Sequence, residues 1–181
     1  MLRETPPGDV GWRAEPFTLS DPDGNVLKLA DQLGRDGLLI AFICNHCPYV
    51  KAVIDRFVAD AAVLQAEGVN VLAIMPNDYR RYPADAPDRM REFAKQHGFS
   101  FPYLIDEDQS VSRAYGAVCT PDFFGFSGDG VLRYRGRLDD ARMGDPTGRE
   151  DELVKAMRLI AQSGAGPEEQ HPSMGCSIKW R

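Results

Sequence analysis

The apolar positions of the chain follow two patterns, and each pattern predicts a different kind of element. Residues 38–42 and 69–75 form apolar runs that scarcely alternate with polar residues, which is typical of strands buried on both faces. Between these runs, apolar residues recur at steps of three or four: Val50, Ile54, Phe57, Ala61 and Leu64. This spacing predicts one face of a helix that ends at Gly68. A strand, a helix and a strand of these lengths predict a parallel pair of strands.

The remaining patterns extend this unit into one α/β domain over residues 1–163. Residues 17–19 and 26–29 predict a hairpin around a turn that contains proline and glycine. Further along, helices are predicted at 88–97, 109–115 and 150–163, and strands at 101–105, 122–126 and 131–138. We interpret residues 1–15 as an N-terminal arm of the domain and residues 164–181 as an irregular C-terminal tail. Because this tail keeps several apolar residues, we expect it to dock on the domain.

The composition excludes several classes of protein. The chain has 181 residues, which is enough for one domain with a full core. It carries 21 Lys and Arg against 27 Asp and Glu, and it has no basic stripe, which argues against nucleic-acid binding. The longest wholly apolar run, residues 38–44, is far shorter than the roughly 20 residues of a membrane-spanning helix. The N-terminus lacks the apolar segment of a signal peptide, so we expect a cytoplasmic protein that does not bind membranes.

Two cysteines separated by two residues stand between the first buried strand and the predicted helix. We expect Cys44 at the helix N-terminus, where unpaired N–H groups and a partial positive charge stabilise a thiolate. We expect Cys47 one turn further on, close enough to form a disulfide with Cys44. The alternatives are two structural cysteines or half of a zinc site, although a zinc site needs about four ligands. The order strand, Cys-x-x-Cys, helix favours a redox-active pair.

Two segments together carry a family resemblance. Residues 42–48 contain the cysteine pair, and residues 119–124 contain a Thr-Pro step ahead of a late hairpin and a final helix. Over residues 15–163 the chain resembles the thioredoxin-like fold, in the redoxin branch with alkyl hydroperoxide reductase-like proteins and thiol–disulfide oxidoreductases. The resemblance implies a three-layer α/β sandwich with a central mixed β-sheet, helices on both faces and an N-terminal β-hairpin extension.

The same resemblance implies a role for each residue of the candidate site. Cys44 would be the attacking thiolate, and Cys47 would resolve the mixed disulfide that Cys44 forms. Thr120 and Pro121 would match the cis-proline loop of the family, whose backbone binds an extended substrate peptide as an added strand. No cofactor is implied, because the cysteines carry the electrons. The expected partners are a protein or small-molecule disulfide, or a peroxide, and a reductant.

The sequence departs from thioredoxins at three places around the cysteine pair. Ile43 replaces a common tryptophan, and Asn45-His46 replaces Gly-Pro. Leu38 stands where thioredoxins often bury an acid that helps to deprotonate the second thiol. The base for Cys47 is therefore unassigned. His46 is a candidate, because imidazole titrates near neutral pH, and the alternative is a solvated side chain with no role.

Two other functions compete with thiol–disulfide exchange. A peroxidatic cysteine typically follows a threonine by three residues, but Ala41 precedes Cys44 by three and Cys44 itself precedes Cys47 by three. Thiol peroxidase is therefore the second hypothesis for the function, after thiol–disulfide exchange. The third is a non-enzymatic metal-binding or metal-chaperone protein, whose ligands would come from the set Cys44, His46, Cys47, His171 and Cys176. The site as predicted contains no metal.

The two remaining cysteines are candidate accessory thiols. Cys119 directly precedes the Thr-Pro step, so we expect it near the active pair. It is either a small buried apolar residue or a third redox thiol. Cys176 lies on the C-terminal tail, where it could pair with Cys119 or with another chain. We favour structural roles for both.

Overall fold

The strand that leads to the cysteine pair lies in the middle of the main sheet, as its unbroken apolar sequence predicts. In the computed structural model, which describes residues 1–6 and 9–181, every residue from Leu38 to Phe42 is fully buried. Pro7 and Gly8, inside the predicted N-terminal arm, lie outside the described residues. Neither face of this strand meets solvent, which is why its sequence does not alternate.

The predicted elements are present, with boundaries shifted by a few residues. Within the described residues the strands are β1 (Leu2–Glu4), β2 (Thr18–Ser20), β3 (Val26–Lys28), β4 (Leu38–Phe42), β5 (Asn70–Met75), β6 (Tyr103–Ile105), β7 (Cys119–Thr120), β8 (Asp122–Phe126), β9 (Leu132–Gly136) and β10 (Met174–Ser177). The helices are α1 (Leu29–Gln32), α2 (Pro48–Ala66), α3 (Pro87–His97), α4 (Ser110–Ala114) and α5 (Glu152–Ser163). A 3₁₀ turn at Pro83–Asp85 precedes α3.

The main sheet is mixed. Over residues 1–6 and 9–181 it has seven strands in the order β3-β2-β6-β5-β4-β8-β9. β4, β5 and β6 are parallel neighbours, and β8 and β9 continue the sheet in antiparallel pairs. The predicted hairpin pairs β2 with β3. β6 lies inside the sheet, because β5 pairs with one side of it and β2 with the other. Pro102 is the residue directly before its first residue, Tyr103.

Side chains of β4 alternate between two apolar cores, one on each face of the sheet. Leu39 and Ala41 face a core that includes residues of α2, α3 and α5. Leu38, Ile40 and Phe42 face a second core that includes residues of α1 and α4. Helices therefore cover both faces, and the predicted three-layer α/β sandwich is confirmed. Among the described helices, none combines the length and apolar content that a membrane span requires.

The prediction of an irregular C-terminal tail is wrong for its central part. Residues Met174–Ser177 form β10, which lies between β1 and β7 in a second sheet, three-stranded over the described residues. In this register Cys176 is opposite Leu2 on one side and Thr120 on the other. The strand is short and contains a glycine, so its own sequence gives little signal, and its partner strands define it.

Candidate active site

The helix that follows the cysteine pair begins later than the sequence predicts. α2 starts at Pro48, because proline suits the first helical position, where the missing N–H has no partner in any case. Cys47 is therefore the N-cap residue, and Cys44 precedes the helix by a further three positions. The expectation that Cys44 stands at the helix N-terminus, with Cys47 one turn inside, is wrong. The partial charge of the helix end acts on Cys47 instead.

Thr120 brings the two predicted halves of the site together. The Thr120–Pro121 peptide bond is cis, as the resemblance implies. The Thr120 hydroxyl oxygen lies 3.3 Å from Cys44 Sγ, and Cys47 Sγ lies 3.2 Å from the Thr120 carbonyl oxygen, to which Cys47 donates a hydrogen bond whenever it carries the proton of the pair. All three side chains are buried, with Cys44 1% and Cys47 0% exposed. Both sulfurs of the pair thus contact one residue of the cis-proline loop.

A buried carboxylate, which the sequence analysis missed, lies beside Cys44. Asp85 comes from the 3₁₀ turn before α3 and is fully buried. It accepts hydrogen bonds of 2.8 Å from the backbone N–H of Asn45 and from the side-chain amide of Asn77. Ligand atoms of Cys44, His46 and Asp85 lie within 4.8 Å of one another. Asp85 and Asn45 are 40 positions apart, so no local spacing could have revealed this contact.

His46 forms the half-buried side of this group. Its Nδ1 atom is 2.7 Å from Asp85 Oδ2. This contact with the carboxylate, through hydrogen bonding and then through charge, raises the pKa of His46 above its ordinary value. The ring also stacks on Tyr82, with the two rings 6.0 Å apart and 5° from parallel. His46 is therefore part of the site and not a free surface side chain.

The two thiols of the pair share one proton unequally. The Cys44 thiol is hydrogen-bonded to Cys47 Sγ, which raises the pKa of Cys44 and lowers the pKa of Cys47 to about 4. Burial and the negative charge of Asp85 raise the pKa of Cys44 further. Cys176 and the Val50 N–H add hydrogen bonds that favour the Cys47 thiolate. In the reduced protein these contacts, with the Cys44 hydrogen bond first among them, favour the negative charge on Cys47, and the start of α2 adds a partial positive charge at the same place.

The structure separates the two accessory cysteines. Cys176 is partly exposed and packs against the core that includes Cys47, and burial together with its interaction with Cys47 raises its pKa to about 11. Cys119 is buried, its thiol faces the Pro121 carbonyl at 3.8 Å, and burial raises its pKa. All four cysteines of the chain, which fall within the described residues, are free thiols. Cys176 is therefore a third thiol of the site.

The metal-ligand set that the sequence suggested is not assembled as a whole. Cys44 and His46 do lie together, with Asp85 as a third group that could hold an ion. His171, however, contacts Glu152 at 3.4 Å and Glu169 at 3.2 Å. Among the described residues, the group whose ligand atoms lie within 4.8 Å of one another therefore contains two of the suggested ligands, Cys44 and His46, and one carboxylate that was not foreseen.

The family of the chain follows from comparison with known proteins. The profile of the AhpC/TSA family matches residues 10–135, and the chain belongs to this family. A Mycobacterium tuberculosis protein whose name assigns it provisionally to the peroxiredoxins is 32% identical over 127 residues, which is 70% of this chain and 74% of the relative. Thiol-disulfide oxidoreductase ResA of Geobacillus thermodenitrificans is 27% identical over 124 residues, 68% of this chain and 67% of the relative. The chain is thus a member of a family of thiol-based redox enzymes.

Solved structures extend the similarity to the whole chain. An uncharacterised conserved protein from Geobacillus kaustophilus superposes with a TM-score of 0.93 and 42% identity, covering 100% of this chain and 97% of that one. A secreted disulfide oxidoreductase of M. tuberculosis superposes with a TM-score of 0.55 and 22% identity over 64% of this chain and 79% of that one. The second similarity concerns the fold alone, which is thioredoxin-like.

Proposed function

We propose that this protein is a thiol–disulfide oxidoreductase that works through Cys44 and Cys47. The observation that carries the proposal is the contact of both sulfurs with Thr120 of the cis-proline loop, at 3.3 Å and 3.2 Å. A pair held in this way can alternate between dithiol and disulfide. We extend the proposal to a protein or small-molecule disulfide as substrate, an external thiol reductant, and a cytoplasmic location.

The proton shared by the pair prepares the attacking thiolate. When this proton moves from Cys44 to Cys47, the Cys47 thiol donates to the Thr120 carbonyl, and Cys44 becomes the thiolate. The Thr120 hydroxyl can then donate to Cys44 Sγ, which favours the charged form. Protonated His46 offsets the charge of Asp85 beside it. These contacts support Cys44 as the nucleophile even though the resting charge lies on Cys47.

The exchange then takes two steps. The Cys44 thiolate attacks one sulfur of the substrate disulfide, forming a mixed disulfide and releasing the other sulfur as a thiolate. Cys47 loses its proton and attacks Cys44 Sγ, which forms the Cys44–Cys47 disulfide and releases the second substrate thiolate. Asp85 and His46, whose ligand atoms lie within 4.8 Å of Cys44 Sγ, are titratable groups that can take up the released proton. In thioredoxins an acid at the position of Leu38 often helps to deprotonate the second thiol. Because the Asp85 carboxylate and the His46 imidazole adjoin the pair, we assign this role to them.

Single-cysteine variants test the proposal. Cys44→Ser should abolish insulin-disulfide reduction, and Cys47→Ser should accumulate a mixed disulfide with substrate on Cys44. Cys119→Ser is the matched control, because that buried thiol faces Pro121, and it should keep most of the activity. Full activity in Cys44→Ser would contradict the proposal.

Peroxidase activity is the second candidate, favoured by the 32% identical relative whose name points to the peroxiredoxins. Stopped-flow oxidation by hydrogen peroxide separates the two functions. We expect slow oxidation, because Asp85 places negative charge beside Cys44 and disfavours its thiolate. Fast, saturating oxidation together with weak insulin reduction would favour the peroxidase.

A further inference from the structure

We propose that β10 is a tethered substrate strand and that Cys176 exchanges disulfides with Cys47, so that the site works with three thiols. This inference rests on the proposed function and deepens it. The strand occupies the position expected for a substrate peptide: β10 pairs antiparallel with β7, and Cys176 is directly opposite Thr120. The family resemblance implies that the Thr120 backbone binds an external peptide, but in this structure it is already paired with Cys176 of the same chain.

The fit of β10 against the cis-proline loop depends on a glycine. A Cβ atom on Gly175 would stand 1.9 Å from the Thr120 carbonyl oxygen, a distance that real contacts do not reach. Ser173 Oγ donates to the Pro121 carbonyl at 2.6 Å, and the Ile178 N–H donates to the Val118 carbonyl at 3.2 Å. These contacts hold the strand along the whole loop, and they set the register that brings Cys176 to the pair.

Contacts on the edge of β10 that faces away from β7, and contacts of the residues after β10, keep Cys176 in this position. β1 pairs with the opposite edge of β10, with Leu2 opposite Cys176. Beyond the strand, the Lys179 N–H donates to Asn77 Oδ1 at 2.9 Å, and the Trp180 ring stacks under the Arg113 guanidinium at 4.3 Å. Asn77 also binds Asp85, so one side chain connects the tail to the active site.

Exposure differs among the three sulfurs and gives the exchange a direction. Cys44 and Cys47 are 1% and 0% exposed, whereas Cys176 is partly exposed, packs against the core that includes Cys47 and lies opposite Thr120, which Cys47 also contacts. A disulfide between Cys44 and Cys47 is thus less accessible to an external reductant than a disulfide between Cys47 and Cys176, which includes one partly exposed residue.

The exchange balances without any outside oxidant. Cys176 gives its proton to solvent, and its sulfur attacks Cys47 Sγ of the Cys44–Cys47 disulfide. The Cys47–Cys176 bond forms as the Cys44–Cys47 bond breaks, and Cys44 leaves as a thiolate. The external thiol reductant then attacks Cys176, which is the partly exposed cysteine, and expels Cys47 as a thiolate at the start of α2. A second thiol of the reductant frees Cys176 from the resulting mixed disulfide.

Peptide mapping of the oxidised full-length protein tests the inference. Trypsin separates Cys44 and Cys47 (residues 36–51) from Cys119 (114–133) and Cys176 (159–179). After oxidation with glutathione disulfide and alkylation of free thiols, Cys44→Ser should yield mostly monomer with peptides 36–51 and 159–179 joined. Wild type should yield this cross-link alongside a disulfide within 36–51. If Cys47 of Cys44→Ser carries only glutathione, or joins 114–133 as often, the inference is overturned.

Two further outcomes keep the inference separate from the proposed function. If wild type forms the disulfide within 36–51 but no cross-link to 159–179 occurs in either protein, only the inference fails. If wild type forms no disulfide within 36–51, the proposed function itself fails. A cross-link confined to dimers on a non-reducing gel would also overturn the inference, because the strand would then not be tethered to its own site.

A strand variant tests whether β10 positions Cys176. Added to Cys44→Ser, Gly175→Ala should lower the yield of the 36–51 to 159–179 cross-link several-fold, because its methyl group displaces β10 from Thr120. Ser177→Ala, on the same strand, removes only a hydroxyl 3.5 Å from Lys179 Nζ and should leave the yield unchanged. An unchanged yield in Gly175→Ala would overturn the role of the strand.

Discussion

At the scale of single residues, the chemistry of the site depends on where one negative charge rests. Cys47 stands at the start of α2 and receives hydrogen bonds from neighbouring thiols, whereas Cys44 stands beside the Asp85 carboxylate. The first arrangement stabilises a thiolate and the second disfavours one. Asp85 therefore acts on the site chiefly by holding the proton on Cys44 until a positive charge or a proton transfer offsets it.

Asp85→Asn should lower the pKa of Cys44, because the substitution removes the nearby negative charge and keeps an acceptor for the Asn45 N–H. Ultraviolet thiolate absorbance against pH in the Cys47→Ser background measures this pKa directly. Asp31→Asn, an exposed position on α1, is the control and should leave the titration unchanged. A rise in the Cys44 pKa in Asp85→Asn would contradict the assigned role of the carboxylate.

His46→Ala should have the opposite effect and raise the pKa of Cys44, because Asp85 loses its positive partner 2.7 Å away. With the thiolate less stabilised, the dithiol form is less favoured, and the reduction potential of the Cys44–Cys47 couple should fall. Equilibration with a glutathione buffer measures the potential. His97→Ala, which removes a histidine paired with Asp55 at 2.7 Å, is the matched control. A thiolate titration identical to wild type would exclude His46 from the mechanism.

The residues of the site that the sequence could predict are those whose signal is local. Cys44 and Cys47 follow a buried strand and precede a helix, and the Thr120–Pro121 step precedes a hairpin, so spacing and resemblance suffice. Asp85 and Cys176 had no such signal. The first lies in a polar loop and the second on a four-residue strand, and only the tertiary structure brings them to the pair.

At the scale of elements, α2 has Cys47 at its N-terminal end and packs its apolar face against the sheet. Phe57 is fully buried, and its ring lies 5.1 Å from those of Phe101 and Phe123. The periodicity of the sequence predicted this face correctly, because the helix is long and one stripe must cover β4. The start of α2 was predicted less well, because a proline at the first helical position leaves the preceding residues outside the helix.

Phe57→Ala should destabilise the protein by about 3–5 kcal/mol, because it removes a buried ring and leaves a cavity between α2 and the sheet. Urea unfolding followed by circular dichroism measures the free energy of unfolding. Val63→Ala, at an exposed position of the same helix, should change it by less than about 0.5 kcal/mol. Equal losses in the two variants would show that the face is assigned wrongly.

At the scale of the whole molecule, both termini converge on the cis-proline loop. β1 and β10 form a small sheet with β7, and this sheet covers the end of the main sheet where the cysteine pair lies. The central part of the fold could be predicted because each unit has its own apolar period. The second sheet could not, since it joins Cys176 to Leu2, 174 positions away, and to Thr120, 56 positions away, and none of its strands has a strand pattern of its own.

A buried ion pair behind the loop makes the stability of the whole protein sensitive to pH. Asp122, directly after Pro121, is 2.9 Å from the Arg135 guanidinium, and its other carboxyl oxygen is buried with no hydrogen-bond partner. Burial raises the pKa of Asp122 to about 7 in spite of Arg135. The folded protein therefore keeps a proton that the unfolded chain releases near its ordinary pKa of 3.8. Stability from this group is greatest below that value and declines as pH rises toward about 7.

The free energy of unfolding of wild type, relative to Asp122→Asn, should therefore fall between about pH 4 and pH 7, by at most about 1.4 kcal/mol per pH unit. The asparagine cannot ionise, so subtracting its profile removes the contribution of all other groups. Urea unfolding at several pH values measures both profiles. Asp60→Asn, which removes a carboxylate paired with Arg149 at 2.6 Å, controls for the loss of an ion pair. A difference between wild type and Asp122→Asn that stays constant with pH would mean that burial does not raise the pKa of Asp122, and that Asp122 and Arg135 remain an ion pair over the whole range.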